Sequence, residues 1–273
     1  MSPVPRIKLT IAYRGTAYHG WQRQSVPPTW KGPTDPGRGL PTVQELVENA
    51  VRHVVRHPLH VTGSSRTDQG VHAKGQVAHF DTHLSQIPHD GFRRAINSRL
   101  PTDINVNRLE SVPDSFNSIS STIDKRYQYV VWNHENRNPM MADMVLWRWQ
   151  KIDVEKMQQA AKDFVGTHDF APFAKQDHGR KTTVRTVFDC SVSRRQHMIV
   201  IGVHGSGFLW NQIRIMVGTL LEIGENEREV DDIPKIFASG DRRRAGRTAP
   251  AQGLYLQWIR HRQDEHEDEP QIK

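Results

Sequence analysis

The stretch Val61-Thr62-Gly63-Ser64-Ser65-Arg66-Thr67-Asp68-Gln69-Gly70-Val71-His72-Ala73-Lys74-Gly75-Gln76-Val77-Ala78-His79-Phe80 decides how the chain is read. Its first part is a polar loop, residues 63–70, and residues 71–80 read as a strand. A polar loop between buried elements can hold a side chain rigid and still offer it to solvent. Upstream, Ile7, Leu9, Ile11 and Tyr13 alternate onto one face of a half-buried strand. Residues 25–41 follow, rich in Pro and Gly with no apolar period, and read as an exposed, mobile loop. Thr42 and Glu45 then have capping-box spacing. Val43, Leu46, Val47, Ala50, Val51, Val54 and Val55 recur at threes and fours, the stripe of a helix that Pro58 stops.

Downstream of the quoted stretch, residues 90–100 suit a second helix ending before Pro101, and residues 126–132 a strand. Asp153 caps a helix carrying Met157, Ala160, Ala161, Phe164 and Val165, closed by Gly166. Residues 184–193 and 198–204 pair as a hairpin around 194–197. Residues 208–223 form a mainly apolar helix stopped by Gly224, residues 232–238 a short helix, and residues 253–259 a last strand. Helices segregated from runs of strands indicate an α+β class, with two α+β halves and largely antiparallel sheets. The expected division is residues 1–120, residues 121–260, and an acidic, frayed tail over 261–273. No short fixed-period repeat is visible.

Lys and Arg together number 37 among 273 residues and Asp and Glu 30, a formal charge of +7. Residues 264–269 hold five acids and no Lys or Arg, so the rest of the chain is more basic than the whole. A basic surface favours a polyanion: nucleic acid, a membrane surface or phosphates. Arg supplies 26 of the cations, and its planar fork suits RNA or DNA, although a GC-rich genome produces the same bias. A single cysteine, Cys190, can make neither an internal disulfide nor a cysteine metal cluster, which fits a reducing cytosol. No apolar run approaches about 18 residues, so no membrane span is expected. Residues 1–8 lack the apolar core of a signal peptide. The 15 histidines show no His-Glu-x-x-His spacing and sit singly, so no metal site is expected.

Four places could carry chemistry. Asp68 lies in the polar loop, where Arg66 would keep it ionised and could touch a phosphate; an ionised carboxylate in a groove can be nucleophile or base. The plainer reading is a turn in which Asp68 bonds its own backbone. Tyr127 and Tyr129, in Lys125-Arg126-Tyr127-Gln128-Tyr129, share one face of a strand. They can stack on an unpaired base, or be core tyrosines with one polar tip. Arg214 is a fixed charge in an apolar helix and needs a partner; Asp68 is one candidate, and a head snorkelling to water is the alternative. Gly218, one turn on, would permit close packing. Arg242, Arg243 and Arg244, with Arg247, can grip phosphates or form a solvated loop.

Read together, seven segments resemble the TruA family of tRNA pseudouridine synthases. They are Tyr18-His19-Gly20-Trp21-Gln22-Arg23-Gln24, Thr42-Val43-Gln44-Glu45, Arg66-Thr67-Asp68-Gln69-Gly70-Val71-His72-Ala73, Gly75-Gln76-Val77-Ala78-His79-Phe80, Lys125-Arg126-Tyr127-Gln128-Tyr129, the run from Gly207 through Phe208-Leu209-Trp210-Asn211-Gln212-Ile213-Arg214 to Gly218, and Ala249-Pro250-Ala251-Gln252-Gly253-Leu254-Tyr255-Leu256. They keep the family's order across residues 7–259. The resemblance implies a pseudouridine synthase fold, with two α+β halves flanking a central catalytic cleft. It implies an isomerase that turns uridine into pseudouridine at family positions 38–40 of the tRNA anticodon arm. By the same resemblance Asp68 is the attacking carboxylate and Arg66 holds the target base out of its stack, a step the chemistry requires. Tyr127 stacks on that base, Arg214 pairs with Asp68, and Leu254 walls the pocket. Arg242, Arg243 and Arg244 are assigned to the RNA. The implied protein is a cytoplasmic homodimer with a tRNA partner. It needs no cofactor, because an isomerisation involves no net redox change.

Three departures are visible, one of them the 25–41 segment, which is longer than the family's and either alters RNA contacts or projects into water. Ser65 stands where the family has Gly, which would cost stability if that position needs a positive φ. Phe116-Asn117-Ser118-Ile119 lacks an expected Arg. Two other functions stay open from the sequence: a catalytically silent tRNA-binding or folding protein on the same scaffold, and a metal-free RNA hydrolase using Asp68 and His72.

Overall fold

The computed structural model describes residues 4–24, 40–84, 87–175 and 181–262. The expectations for a mobile loop in 25–41 and an acidic tail at 264–269 fall largely or wholly outside these residues. The chain folds into two units. Unit 1 comprises residues 1–123 and 256–273, and unit 2 residues 124–255.

Unit 1 carries β1 (Arg6–Tyr13), α1 (Val43–Val55), β2 (Thr62–Gly63), β3 (His72–Asp81), α2 (His89–Asn97) and β4 (Ile104–Val112). β1 lies between β3 and β4, antiparallel to both, with Leu9 opposite Ala78 on one side and Leu109 on the other. β2 also pairs with β3. The alternation read over residues 7–13 matches this placement: Ile7, Leu9, Ile11 and Tyr13 are all buried. α1 begins as its capping residues dictate, with Thr42 Oγ1 accepting the Glu45 N–H at 3.4 Å. It ends at Arg56, whose left-handed φ of 60° turns the chain before Pro58 is reached.

β4 has no counterpart in the sequence reading. Its alternation, Ile104 and Val106 inward, breaks before Leu109, because the register with β1 shifts between Thr10 and Ile11. A bulge places one extra residue on a strand and erases the period of two that would reveal it.

Unit 2 carries β5 (Thr122–Asn133, its first two residues lying in unit 1), β6 (Leu146–Arg148), α3 (Val154–Ala161), β7 (Gly166–Asp169), β8 (Val184–Arg195), β9 (Met198–Gly205), α4 (Gln212–Gly224) and α5 (Asp232–Ser239). Its strands run β5-β9-β8-β7, antiparallel throughout, with β6 added parallel to β5. Tyr129, Val131, Ile199, Ile201 and Val203 are buried, and α3 packs against both α4 and β8. Phe164, Phe170, Phe173 and Phe237 cluster there, edge to face except for the tilted pair Phe173–Phe237.

Three expectations are corrected. The apolar helix starts at Gln212, not at residue 208, because Asn211 is left-handed with φ 60° and cannot continue a helix backward. Val165 is exposed, because residues 162–164 tighten into a single 3-10 turn that rotates it off the apolar face. The last strand, β10 (Leu254–His261), belongs from Leu256 onward to unit 1, where it neighbours β3, instead of continuing a second half to residue 260. Among the described residues no helix is long and apolar enough to cross a membrane.

Candidate active-site elements

The Asp68 loop is fixed from three sides within unit 1. Gln76, fully buried on β3, accepts the Ser65 N–H at 3.2 Å and donates to the Ser65 carbonyl at 2.6 Å. The Thr67 side chain is buried against the Tyr13 hydroxyl of β1 at 2.7 Å. The Thr67 carbonyl accepts the Trp21 N–H at 3.1 Å. That approach depends on Gly20, whose φ of +85° favours glycine and whose Cβ would press on the Thr67 carbonyl. Asp68 closes the turn, its carbonyl accepting the Val71 N–H at 3.1 Å. So the backbone is anchored on both sides of Asp68, while Asp68 is half-buried and Arg66 exposed.

Ser65 is not among the left-handed residues, which outside glycine are Arg56, Gln196, Asn211 and Asn226 among the described residues. The strain anticipated for serine at this position therefore does not arise. His72 is buried, and its Nδ1 accepts the Gly15 N–H at 3.0 Å. That bond commits the ring to a structural role and counts against the hydrolase reading. Ile119 is exposed on a turn that Asn117 organises by accepting the Ile119 and Ser120 N–H groups.

The remaining predicted residues lie in unit 2. Tyr127 sits on β5 opposite Val203, with its ring edge-on to Phe208 at 5.5 Å. Tyr129 shares that face, is fully buried, and donates its hydroxyl to the Pro250 carbonyl at 2.8 Å. Burial raises its pKa above the ordinary phenol value. Tyr127 is buried as well, so both tyrosines lie in the core as the plainer reading has them, Tyr129 the more deeply. Gly253 lies close against its ring, which leaves no room for a side chain there, and Leu254 follows, buried, at the start of β10.

Arg214, on the first turn of α4, does not simply snorkel. Its Nε donates to the Ala249 carbonyl at 2.7 Å and its Nη1 to Asn211 Oδ1 at 3.1 Å. Two bonds hold the planar guanidinium in one orientation. Gly218 admits the close packing expected of it, with the Arg247 carbonyl lying where a Cβ would be.

The arginine run divides by function. Arg247 is exposed but already paired, bonding Glu222 Oε1 at 3.1 Å and Glu227 Oε2 at 2.5 Å. Burial alone would raise Glu222, but the Arg247 N–H and the Arg228 and Arg247 guanidiniums hold it below the usual carboxylate range. Arg242 is half-buried against the Ala245 carbonyl and Thr248 Oγ1, and desolvation lowers its pKa. Arg243 pairs with Asp241 at 2.8 Å and holds that carboxyl down at about 2. Arg244 is exposed and makes no ion pair among the described residues. Among the described residues no group of three or more His, Cys, Asp or Glu could hold a metal ion.

Two features escaped the sequence. Gln76 and Gly20 clamp the Asp68 loop, and nothing in their local pattern marks a buried amide or a left-handed turn. The Lys175–Trp210 contact, with the ammonium 3.9 Å from the ring centroid, joins residues far apart in the chain.

A family model described as tRNA pseudouridine synthase matches residues 10–119 and 160–261. The tRNA pseudouridine synthase A of Acetivibrio thermocellus is 41% identical over 250 residues, covering 92% of this chain and 97% of that protein. The protein of the same name from Ruminiclostridium cellulolyticum is 42% identical over 252 residues, with the same coverage. That of Limosilactobacillus reuteri is 41% identical over 258 residues, covering 92% and 94%.

Proposed function

This chain belongs to the tRNA pseudouridine synthase family, a family of isomerases, and we propose that it converts uridine to pseudouridine in the tRNA anticodon arm with Asp68 as nucleophile. The observation that carries the reading is the Asp68 loop, whose backbone is anchored at Ser65, Thr67 and Val71 while Asp68 stays half-exposed. A carboxylate held this way loses little freedom on meeting its target.

In the proposed reaction the carboxylate attacks the target nucleotide and the bond between C1′ and N1 breaks. The detached base turns, C5 bonds to C1′, the bond to the carboxylate breaks and frees Asp68, and the proton on C5 leaves while N1 gains one. Atoms and electrons balance within the one nucleotide. Arg66 keeps the flipped base out of the helix, since an enzyme cannot reach a stacked base. Tyr127 stacks on that base and Leu254 walls the pocket. Arg214, aimed by Asn211 and Ala249, pairs with the carboxylate. Arg244, with Arg242 and Arg243 beside it, contacts phosphates, Arg244 being the best suited because its charge is not spent on an internal ion pair. We assign the tRNA as partner, a homodimer as the working form and the cytoplasm as the site of action on the strength of the family.

Asp68→Asn is the direct test. The variant folds and binds tRNA but releases no tritium from uridine labelled at C5. Release at the wild-type rate would remove Asp68 from the chemistry. A wild-type protein that binds tRNA without converting it would point instead to the silent RNA-binding function.

A further inference from the structure

Trp210 is 44% exposed, although its neighbours face inward. Leu209 is buried, and Phe208 lies against Tyr127. Two contacts hold Trp210 in place. Its carbonyl accepts the Lys175 N–H at 3.0 Å, and the Lys175 ammonium sits over its ring at 3.9 Å. The next residue, Asn211, is left-handed and bonds the Arg214 guanidinium. One short segment, residues 208–214, therefore does three things. It sets Phe208 against Tyr127, aims Arg214 through Asn211, and turns an indole outward with a cation on its face.

An outward indole carrying a fixed ammonium is suited to one class of ligand. Every nucleobase has a π-face that stacks on an aromatic ring whatever its sequence, and every nucleotide brings a phosphate within reach of a nearby cation. An aliphatic or peptide ligand would use the ring but not the charge. A duplex would use the charge but not the ring, since its bases are already stacked. The combination selects an unpaired nucleotide. Because the same turn holds Phe208 and Arg214, the nucleotide it takes is a close neighbour of whichever one Tyr127 receives.

We propose that Trp210 and Lys175 form a stacking subsite for an unpaired nucleotide flanking the target uridine, Trp210 taking the base and Lys175 its phosphate. The subsite deepens the function proposed above and rests on it. It holds the loop open beside the target base, so that flipping does not have to work against restacking of the neighbour.

The test measures tRNA binding by anisotropy and C5 tritium release in parallel, with the full chain. Trp210→Ala weakens binding by about 5- to 150-fold, the range for losing one base stack, and Trp210→Phe retains most of it. Abasic substitutions walked through the anticodon loop find one position that weakens the wild type but adds nothing to Trp210→Ala. Lys175→Gln lowers the slope of log affinity against log salt by about one. Unchanged binding by Trp210→Ala overturns the subsite, as does a Phe variant as weak as Ala, or the lack of any non-additive abasic position. An unchanged salt slope overturns the role of Lys175. Because Trp210 is exposed, an unaltered unfolding midpoint separates lost stacking from lost fold. If the wild type binds but converts no uridine, the functional reading fails while the stacking result remains readable. If conversion is normal and Trp210→Ala binds normally, only the subsite fails.

Discussion

Burial pushes the His79 imidazole down to about 4, and the nearby Arg6 charge adds to the shift. The ring is held neutral by its neighbours: its Nδ1 meets the Ser118 hydroxyl at 2.9 Å, and the Ser118 N–H donates to the same nitrogen. Below the ordinary value of 6.5 the unfolded chain takes up a proton that the folded chain refuses. Stability from the neutral ring is therefore complete above pH 6.5 and drains away down to pH 4, where both states are protonated. Between pH 7 and 5 this group costs roughly 2 kcal/mol of stability. Urea unfolding at the two pH values should show that loss in the wild type and not in His79→Gln; parallel profiles would place the acid sensitivity elsewhere. Legibility at the residue scale held for the polar loop around Asp68, where a polar run interrupts apolar ones. It failed where the deciding partner is distant. The pairing of Arg247 with Glu222 and Glu227 leaves no local trace, and neither does the ordinary backbone of Ser65.

At the scale of elements, α4 and the segment after α5 are locked at one narrow contact. Gly218 lies under the Arg247 carbonyl, and Thr219 Oγ1 accepts the Gly246 N–H at 3.0 Å. The Ala249 N–H then donates to the Arg214 carbonyl at 3.0 Å, so the same packing carries the backbone that aims Arg214. Gly218→Ala forces these backbones apart. Overpacking of this kind costs about 1–3 kcal/mol, and more where backbone must move. A lowered denaturation midpoint together with a fall in kcat larger than any change in KM is expected; a stable variant of normal activity would show that α4 can slide without consequence. The elements legible in sequence were those with one uninterrupted period, such as α1 and β1. β4 was hidden by its bulge, and α4 was drawn too long because Phe208, Leu209 and Trp210 are apolar for reasons unrelated to helix. Hydrophobicity marks burial or binding; only the left-handed Asn211 marks where the helix begins.

Over the whole molecule, the excess of positive charge overstates what is available to RNA. Arg6, Arg148, Arg228, Arg243 and Arg247 are all engaged with carboxylates of the chain itself. Under the proposed function phosphate binding rests on the remainder, and the salt dependence of tRNA affinity counts it. Neutralising six to ten phosphates would lower tRNA affinity by about 10³ to 10⁵ between 50 and 200 mM salt. A salt titration of binding should fall along such a line, and a flat response would exclude phosphate contacts as the main source of affinity. The α+β class was legible from element order alone, but the division of the chain was not. A strand's own residues do not say which earlier strand it will join, and β10 joins unit 1 across the full length of unit 2. That return has a consequence for synthesis. A ribosome makes every residue of unit 2 before it makes Leu256. During that interval β3 has β1 along one side and only the two-residue β2 on the other, so most of that second pairing edge is left open to other nascent chains. Unit 2 can complete its own strands first, and the fold that holds the Asp68 loop closes only with the last strand translated.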